Sequence, residues 1–310
     1  MTTTSVIEVL RAGLCDLVMD GGRYGYTHLG VPVGGAADVL ALRWANRLVG
    51  NADGAAGLEI TLKGPLLAFP QGGAVALTGA PFAASRSSGD AVEWNETLIM
   101  APDEQMDIGG ASSGCRCWLA VQGGIQVPEM MRSRSTFLPA GFGGLDGRAL
   151  RASDQIALDE ASVHPRVLRI QPPFENETAV LRVVPGPQTA HFTDDGLSAF
   201  FNSTYRVDSA SDRRGVRLIG APVTVFSQDG IASQAVLPGA IQVPPDGQPI
   251  ILGWDGPVTG GYPVIAGLVS ADLARLAQLK PGDAVRFATM TVESARTLAR
   301  NREVEVMDGY

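Results

Sequence analysis

The chain has 310 residues, enough for two domains of ordinary size or one large one. A formal net charge of −8, with no Lys/Arg cluster to offset it, excludes nucleic acid and anionic membrane surfaces as principal partners. Glycine (38 residues) and proline (20) are plentiful, aromatics make up 6%, and no tract is of low complexity; this favours short strands and tight turns over long helices.

The opening Met-Thr-Thr-Thr-Ser-Val-Ile-Glu has no basic start followed by an apolar stretch, so no signal peptide is expected. No apolar run approaches ~18 residues, so no transmembrane helix is expected and the cytoplasm is the expected location. Asp38 is placed to cap a helix running through Val49, with Val39, Leu42, Ala45 and Leu48 on or near one face and Gly50 ending it. Ala74–Thr78 and Cys117–Val121 read as strands. Cys115 and Cys117 then point to the same face of a buried or half-buried strand. With Cys15 they form too sparse a set for a disulfide framework. No second ligand pair accompanies them, and His28, His164 and His191 are widely spaced, so no metal site is expected. Arg132 and Arg134 read as part of a solvated turn. The Pro-rich stretch between Arg166 and Thr178 reads as a linker. Beyond it come strands at Leu181–Val184, Gln248–Leu252 and Ala284–Ala288, and a short helix over Asp194–Phe201. A further helix is capped by Ser270, carries Asp272 in its first turn, and stops at Pro281-Gly282 after Leu279.

Five markers recur in the same order. Val9-Leu10-Arg11-Ala12-Gly13 is echoed by Arg182-Val183-Val184-Pro185-Gly186, Asp38 by Asp212, and Gly57-Leu58-Glu59-Ile60 by Gly215-Val216-Arg217-Leu218. Gly123-Gly124-Ile125-Gln126-Val127-Pro128 returns as Gly239-Ala240-Ile241-Gln242-Val243-Pro244, and Leu150–Ile156 returns in pattern as Leu279–Val285. The period is too long for a solenoid. It predicts a mostly-β protein of two barrel-like lobes related by internal duplication, over residues 1–168 and 178–310, with two or three short helices.

The chain has no G-x-x-x-x-G-K-[ST], no G-x-S-x-G and no H-E-x-x-H. Three polar, Gly-rich segments remain. In Asp20–Pro32, Arg23 is suited to a carboxylate or phosphate, Tyr26 adds a phenol, and His28 is a candidate acid or base; a surface loop is the competing reading. In Ser209–Gly215, Arg213 either meets an anionic substrate or joins a local ion pair of little consequence. The third segment runs from Gln242 to Pro263. There Asp255 is a candidate general base, and Thr259-Gly260-Gly261 a candidate nest of backbone N–H groups for an oxyanion. Asp246, in Pro244-Pro245-Asp246-Gly247, reads as a β-turn.

Several motifs together carry a resemblance: Arg23-x-Gly25-Tyr26-x-His28-Leu29-Gly30-Val31-Pro32, Ala45–Asn51, Leu58–Pro65, Leu77–Ala80, Ser133-Arg134-Ser135-Thr136, Ser211-Asp212-Arg213, Gly239–Pro244 and Thr259-Gly260-Gly261-Tyr262-Pro263. The chain resembles the allophanate-hydrolase-subunit-2 family over essentially its whole length. The resemblance implies cyclophilin-like barrels and membership of a heteromeric enzyme. The first expectation is the C-type subunit of an ATP-dependent 5-oxoprolinase, which hydrolyses a lactam to glutamate. Its partners would be an allophanate-hydrolase-subunit-1-type protein (the B-type component) and a lactam-utilisation-type protein (the A-type component), with ATP used by the complex. The alternatives are a carboxyltransferase component acting on urea or another amide, and a non-catalytic partner that antagonises a kinase inhibitor. Gly35 stands where many members have serine, and Asp255-Gly256-Pro257-Val258 where many have Asp-Arg-Gln-Thr; the latter resembles the urea-carboxylase branch. The expected roles are Asp255 and His28 in proton transfer, and Arg23, Tyr26, Arg213, Gln242, Thr259, Gly260, Gly261 and Tyr262 in binding substrate.

Overall fold

The computed structural model describes residues 5–159, 179–227 and 230–308. The expected linker, the boundaries at 168 and 178, and His164 lie outside them. Two compact units emerge. One comprises residues 5–24 and 34–159; the other comprises residues 25–33 and 179–308.

The first unit holds ten strands: β1 (Val6–Arg11), β2 (Cys15–Met19), β3 (Gly57–Thr61), β4 (Leu66–Phe69), β5 (Gly73–Gly79), β6 (Phe82–Arg86), β7 (Thr97–Met100), β8 (Glu104–Ala111), β9 (Arg116–Val121) and β10 (Gln155–Ala157). They form two five-stranded sheets, β10-β1-β4-β8-β6 and β2-β3-β9-β5-β7. Ile7, Val9, Leu67, Met106 and Ile108 from the first sheet meet Val18, Leu58, Ile60, Leu77 and Leu119 from the second in one core. Helix α1 (Val39–Leu48) covers the other face of the second sheet, packing Leu42, Ala45 and Leu48 on Leu17, Met19 and Trp118. Burial on both faces explains why β5 and β9 read as continuous apolar runs, while β1 alternates half-buried and buried residues. Asp38 caps α1 by accepting the Ala41 N–H at 3.0 Å. Gly50 (φ +75°) ends the helix in the left-handed conformation, as the sequence predicts.

Sheet edges expose unpaired peptide groups, and several of those here find partners. Thr136 and Leu150 donate to the Val18 and Asp16 carbonyls of β2, and Gln126 donates to Ala157 of β10. At the remaining corner Arg86 leaves β6 and donates to the Ile99 carbonyl of β7 at 2.7 Å, so a side chain bridges the two sheets. Its guanidinium is fixed by buried Glu104, at 2.8 Å to each oxygen. Ser88 and the Ala101 N–H also donate to that carboxylate.

The second unit begins with β11 (Ala179–Pro185), α2 (Asp194–Asn202), β12 (Tyr205–Val207), β13 (Gly215–Ile219) and β14 (Gln234–Ala235). It continues with β15 (Ala240–Gln242), β16 (Ile250–Leu252), β17 (Thr259–Gly260), β18 (Val264–Leu268), α3 (Leu273–Ala277), β19 (Ala284–Thr289) and α4 (Val292–Asp308). Seven of its strands close into a barrel in the order β11-β18-β15-β16-β13-β12-β19, sealed by the parallel pairing of β11 with β19. The strands β14 and β17 form a separate ribbon.

Two expectations change. The helix expected from Ser270 is a 3-10 turn, Ser270–Asp272, leading into the short α3; Asp272 serves Arg182 rather than the helix end, taking both its backbone N–H and its guanidinium. There are four α-helices among the described residues, because α4 is also helical. That helix has no continuous apolar stripe and stands mostly exposed behind a Thr291 cap, so periodicity does not announce it. Asp212, the echo of Asp38, closes the turn into β13, while α2 is capped by Thr193.

The Leu150–Ile156 and Leu279–Val285 markers fold alike. Asp154 and Asp283 accept the N–H of Arg151 and Lys280, and the residue before each aspartate, Ser153 (φ +73°) or Gly282 (φ +91°), is left-handed. Ser153 and Asp154 bond the backbone of Val9 in β1; Gly282 and Asp283 bond that of Val207 in β12. The turn's docking strand is therefore β12, not the Arg182–Gly186 echo.

Three predictions concern stability. Arg86→Ala leaves a buried carboxylate unpaired and is expected to destabilise the first unit by about 3–5 kcal/mol in denaturant unfolding. Its donors hold Glu104 at about 2, Arg86 first among them. A depressed folded-state value means that stability present above the usual carboxylate range is lost as pH falls towards 2, and Glu104→Gln is expected to abolish that loss.

Asp16 behaves oppositely. Its Oδ2 accepts the Gly13 N–H at 2.6 Å, its Oδ1 is buried without a partner, and burial pushes it up to about 6. The folded chain then holds a proton that the unfolded chain releases, so stability falls as pH rises from about 4 to about 6. A pH series of unfolding curves is expected to show this slope in the native protein and a flatter one in Asp16→Asn.

Candidate functional site

The first polar segment is divided between the units. Asp20 gathers the Gly22 N–H (2.8 Å), the Ser133 and Ser135 hydroxyls (2.7 and 2.5 Å) and the Arg134 N–H (2.6 Å) around one carboxylate. Arg23 turns into this knot with 0% exposure, donates to the Ser135 carbonyl and stacks 4.9 Å from the centre of the Phe142 ring. The next turn is pressed against it: a Cβ on Gly143 would lie 2.1 Å from the Ser135 carbonyl oxygen, and one on Gly144 1.9 Å from Thr136 Oγ1. Arg23 therefore presents no surface to a substrate, which corrects its expected role as a carboxylate holder. It is a packing element joining the two motifs that contain it and Ser133–Thr136.

Beyond Tyr24 the chain enters the second unit. Tyr26 is half-buried and caps the 3-10 turn Thr27–Leu29, its carbonyl accepting the Leu29 N–H at 2.9 Å. His28 sits exposed on that turn, with no hydrogen-bond partner among the described residues to orient its ring. Its position suits a proton carrier at a surface more than a buried base.

Two residues expected to act separately on substrate act on each other. Arg213 Nε meets Asp255 Oδ2 at 2.8 Å and its Nη2 reaches Oδ1 at 3.3 Å, with the side chains 8% and 1% exposed. The backbone repeats the link: Asp255 N–H donates to the Arg213 carbonyl and Gly253 N–H to that of Arg214. Gly253 must be glycine, because a Cβ would lie 2.2 Å from the Arg213 carbonyl oxygen. This is a bidentate pair docking the 253–256 turn onto the 209–215 turn. Neighbouring Arg214 faces solvent and makes the local ion pair with Asp212.

The remaining candidates assemble. Gln242, buried at the end of β15, donates through Nε2 to the Tyr262 carbonyl at 3.2 Å. Gly260 lies against that carboxamide: a Cβ there would stand 2.5 Å from Gln242 Nε2. Thr259 and Gly260 form β17 and pair with Ala235 and Gln234, and the Gly261 carbonyl accepts the Ile231 N–H at 3.0 Å. Neither Gly260 nor Gly261 has positive φ. A nest needs alternating backbone hand, so this stretch is a strand and not the expected oxyanion nest. What it offers is a carboxamide packed against a bare glycine, beside the exposed ring of Tyr262.

Sequence reasoning gave no role to Asp20, nor to Glu59, which is buried in β3, accepts the Ala37 N–H at 2.7 Å and lies 3.5 Å from Arg116 Nε. A single charged residue inside the apolar run Gly57–Ile60 was the available signal.

Fold and motifs place the chain in a class. The carboxyltransferase domain family, subdomains A and B, matches residues 29–289, and the chain belongs to it. It is 38% identical to the C-type subunit of Escherichia coli 5-oxoprolinase over 293 residues, covering 94% of this chain and 93% of that one. Saccharomyces cerevisiae urea amidolyase is 31% identical over 98% of this chain, which spans only 18% of that protein. The crystal structure of Kluyveromyces lactis urea carboxylase superposes with a TM-score of 0.92 at 30% identity, over all of this chain and 30% of that one.

Asp255→Ala is expected to cost about 3–5 kcal/mol of stability by stranding a buried guanidinium. A loss below ~1 kcal/mol, the range of exposed pairs, would show that the pair does not hold the two turns together.

Proposed function

We propose that the chain is the C-type subunit of an ATP-dependent 5-oxoprolinase, contributing to hydrolysis of the lactam of 5-oxoproline to glutamate. The observation that carries this reading is the end-to-end similarity to the C-type subunit of the Escherichia coli enzyme, which covers nearly the whole of both chains. In this reading the chain works with A-type and B-type partners. ATP is consumed by the assembled complex; this chain has no phosphate-loop motif of its own. Phosphorylating the lactam oxygen would make the ring carbon electrophilic. Gln242 would then pair with the lactam amide, with its Oε1 as acceptor for the ring N–H. Tyr262, Tyr26 and exposed His28 are the remaining groups able to meet the substrate or carry its proton.

A second reading is favoured by one feature. Asp255-Gly256-Pro257 resembles the urea-carboxylase branch, and the structural match to urea carboxylase runs the full length of this chain. On that reading the same carboxamide receives urea, and carboxyl transfer requires a biotin carrier from another protein.

Co-expression with the A-type and B-type partners, followed by ATPase assay, separates them. ATP turnover is expected to rise with 5-oxoproline and not with urea, and Gln242→Ala is expected to raise KM more than it lowers kcat. Growth on 5-oxoproline unchanged by deletion of this chain would overturn the assignment.

A further inference from the structure

Helix α1 covers one sheet of the first unit; the outer face of the other, β10-β1-β4-β8-β6, carries a groove of about 370 Å³. Arg11, Leu66, Asp107 and Ser85 stand in one register row across four of its strands. Regular geometry breaks at three points around this row. Strand β1 shifts register between Val9 and Arg11, and β6 between Phe82 and Ala84. Leu62 takes φ +60°, a conformation that bulky residues avoid. It is held there by its own N–H on the Cys115 carbonyl and by the Ala111 N–H on its carbonyl, each 2.8 Å. Bulges re-aim side chains and concentrate near binding sites, and strained backbone persists where surrounding contacts enforce it.

These irregularities bring Lys63 to the groove, above a floor in which Gly109 lies directly on the Ala83 carbonyl; a Cβ there would be 2.8 Å from that oxygen. Arg11 is paired with Asp107 at 2.6 Å, so the two cancel. Lys63 has no ion-pair partner among the described residues, in contrast to Lys280, which is paired with Asp283 at 3.2 Å. The lining thus carries one uncompensated positive charge on a chain of net charge −8.

We propose that this groove binds a small monoanionic carboxylate, with the Lys63 ammonium as counter-charge and the Ser85 hydroxyl and the free edge of Arg11 as donors. The charge balance selects the ligand: one free cation matches one negative charge and leaves a dianion such as phosphate half-compensated. The volume falls at the small end of ligand sites, ~300–1,000 Å³. The groove belongs to the first unit alone and does not rest on the 5-oxoprolinase reading.

Lys63 and Lys280 are the only lysines of the chain, so reductive methylation with carbon-13 formaldehyde gives two lysine side-chain signals, and Lys63→Gln assigns them. The probes are sodium acetate and sodium L-lactate, against sodium chloride and inorganic phosphate at matched ionic strength. The expected result is a saturable displacement of the Lys63 signal by the carboxylates, several-fold larger than that of Lys280. It should vanish in Ala83→Glu, which puts a carboxylate on the floor; Ser85→Asp gives the same test if that variant does not fold. Equal, non-saturating shifts at both lysines, a response that survives these variants, or an equal response to phosphate would overturn the proposal.

Discussion

A sheet curled around a core must still satisfy the peptide groups at its edges, and this constraint shapes both units. The second unit solves it with backbone: β11 and β19 pair in parallel and the ring closes. In the first unit the sheets stay separate, and the corner between β6 and β7 is bridged by one side chain. Arg86 can do this because a planar guanidinium serves the Ile99 carbonyl and both oxygens of Glu104 at once. Glu104 in turn draws in Ser88 and Ala101, so one buried anion organises the hairpin on one side and the turn before β8 on the other. The core between the sheets depends on that corner staying shut.

The same device recurs where loops must be placed. Arg213 and Asp255 lie 42 residues apart and fix one turn on another. Arg182 and Asp272 tie the start of the barrel to the turn before α3. In the first unit Asp20 plays the part with neutral donors, collecting two hydroxyls and two amides. Buried carboxylates, more than exposed ones, therefore decide where the polar segments sit. Apart from Arg23, the candidate residues all belong to the second unit, including Tyr26 and His28, which lie in the segment 25–33.

This explains what could be read from the sequence. Local signals were legible: the Asp38 cap and the Gly50 stop bracket α1, and the doubly buried strands appear as apolar runs. The Asp154 and Asp283 turns were legible as a repeated pattern because an aspartate after a left-handed residue is a short-range feature. Pairings across long separations were not. Nothing in Arg213 or Asp255 alone says that each is the other's partner, and each therefore reads as a site residue. Arg23 misleads in another way: charged side chains are rarely fully buried, so an arginine in a glycine-rich loop reads as exposed. The family motifs were legible as strings, but some of their residues are scaffold, with Arg23 donating to Ser135 and Arg213 to Asp255.

All but two of the 24 basic residues are arginine, and the structure gives a reason. The ties just described need two or more parallel N–H donors at fixed spacing, and an ammonium supplies only a compact point charge. A lysine at position 86 could neutralise Glu104 but not hold it while also reaching Ile99; at position 213 it would lose one of the two contacts with Asp255. The two lysines stand where no fork is required. Lys280 balances Asp283 within its own turn, where the backbone already holds the carboxylate. Lys63 has no such task, yet it follows a left-handed leucine and borders two bulged strands. Its charge meets no partner among the described residues, at a position bordered by irregular backbone, and the proposed carboxylate would be its counter-charge.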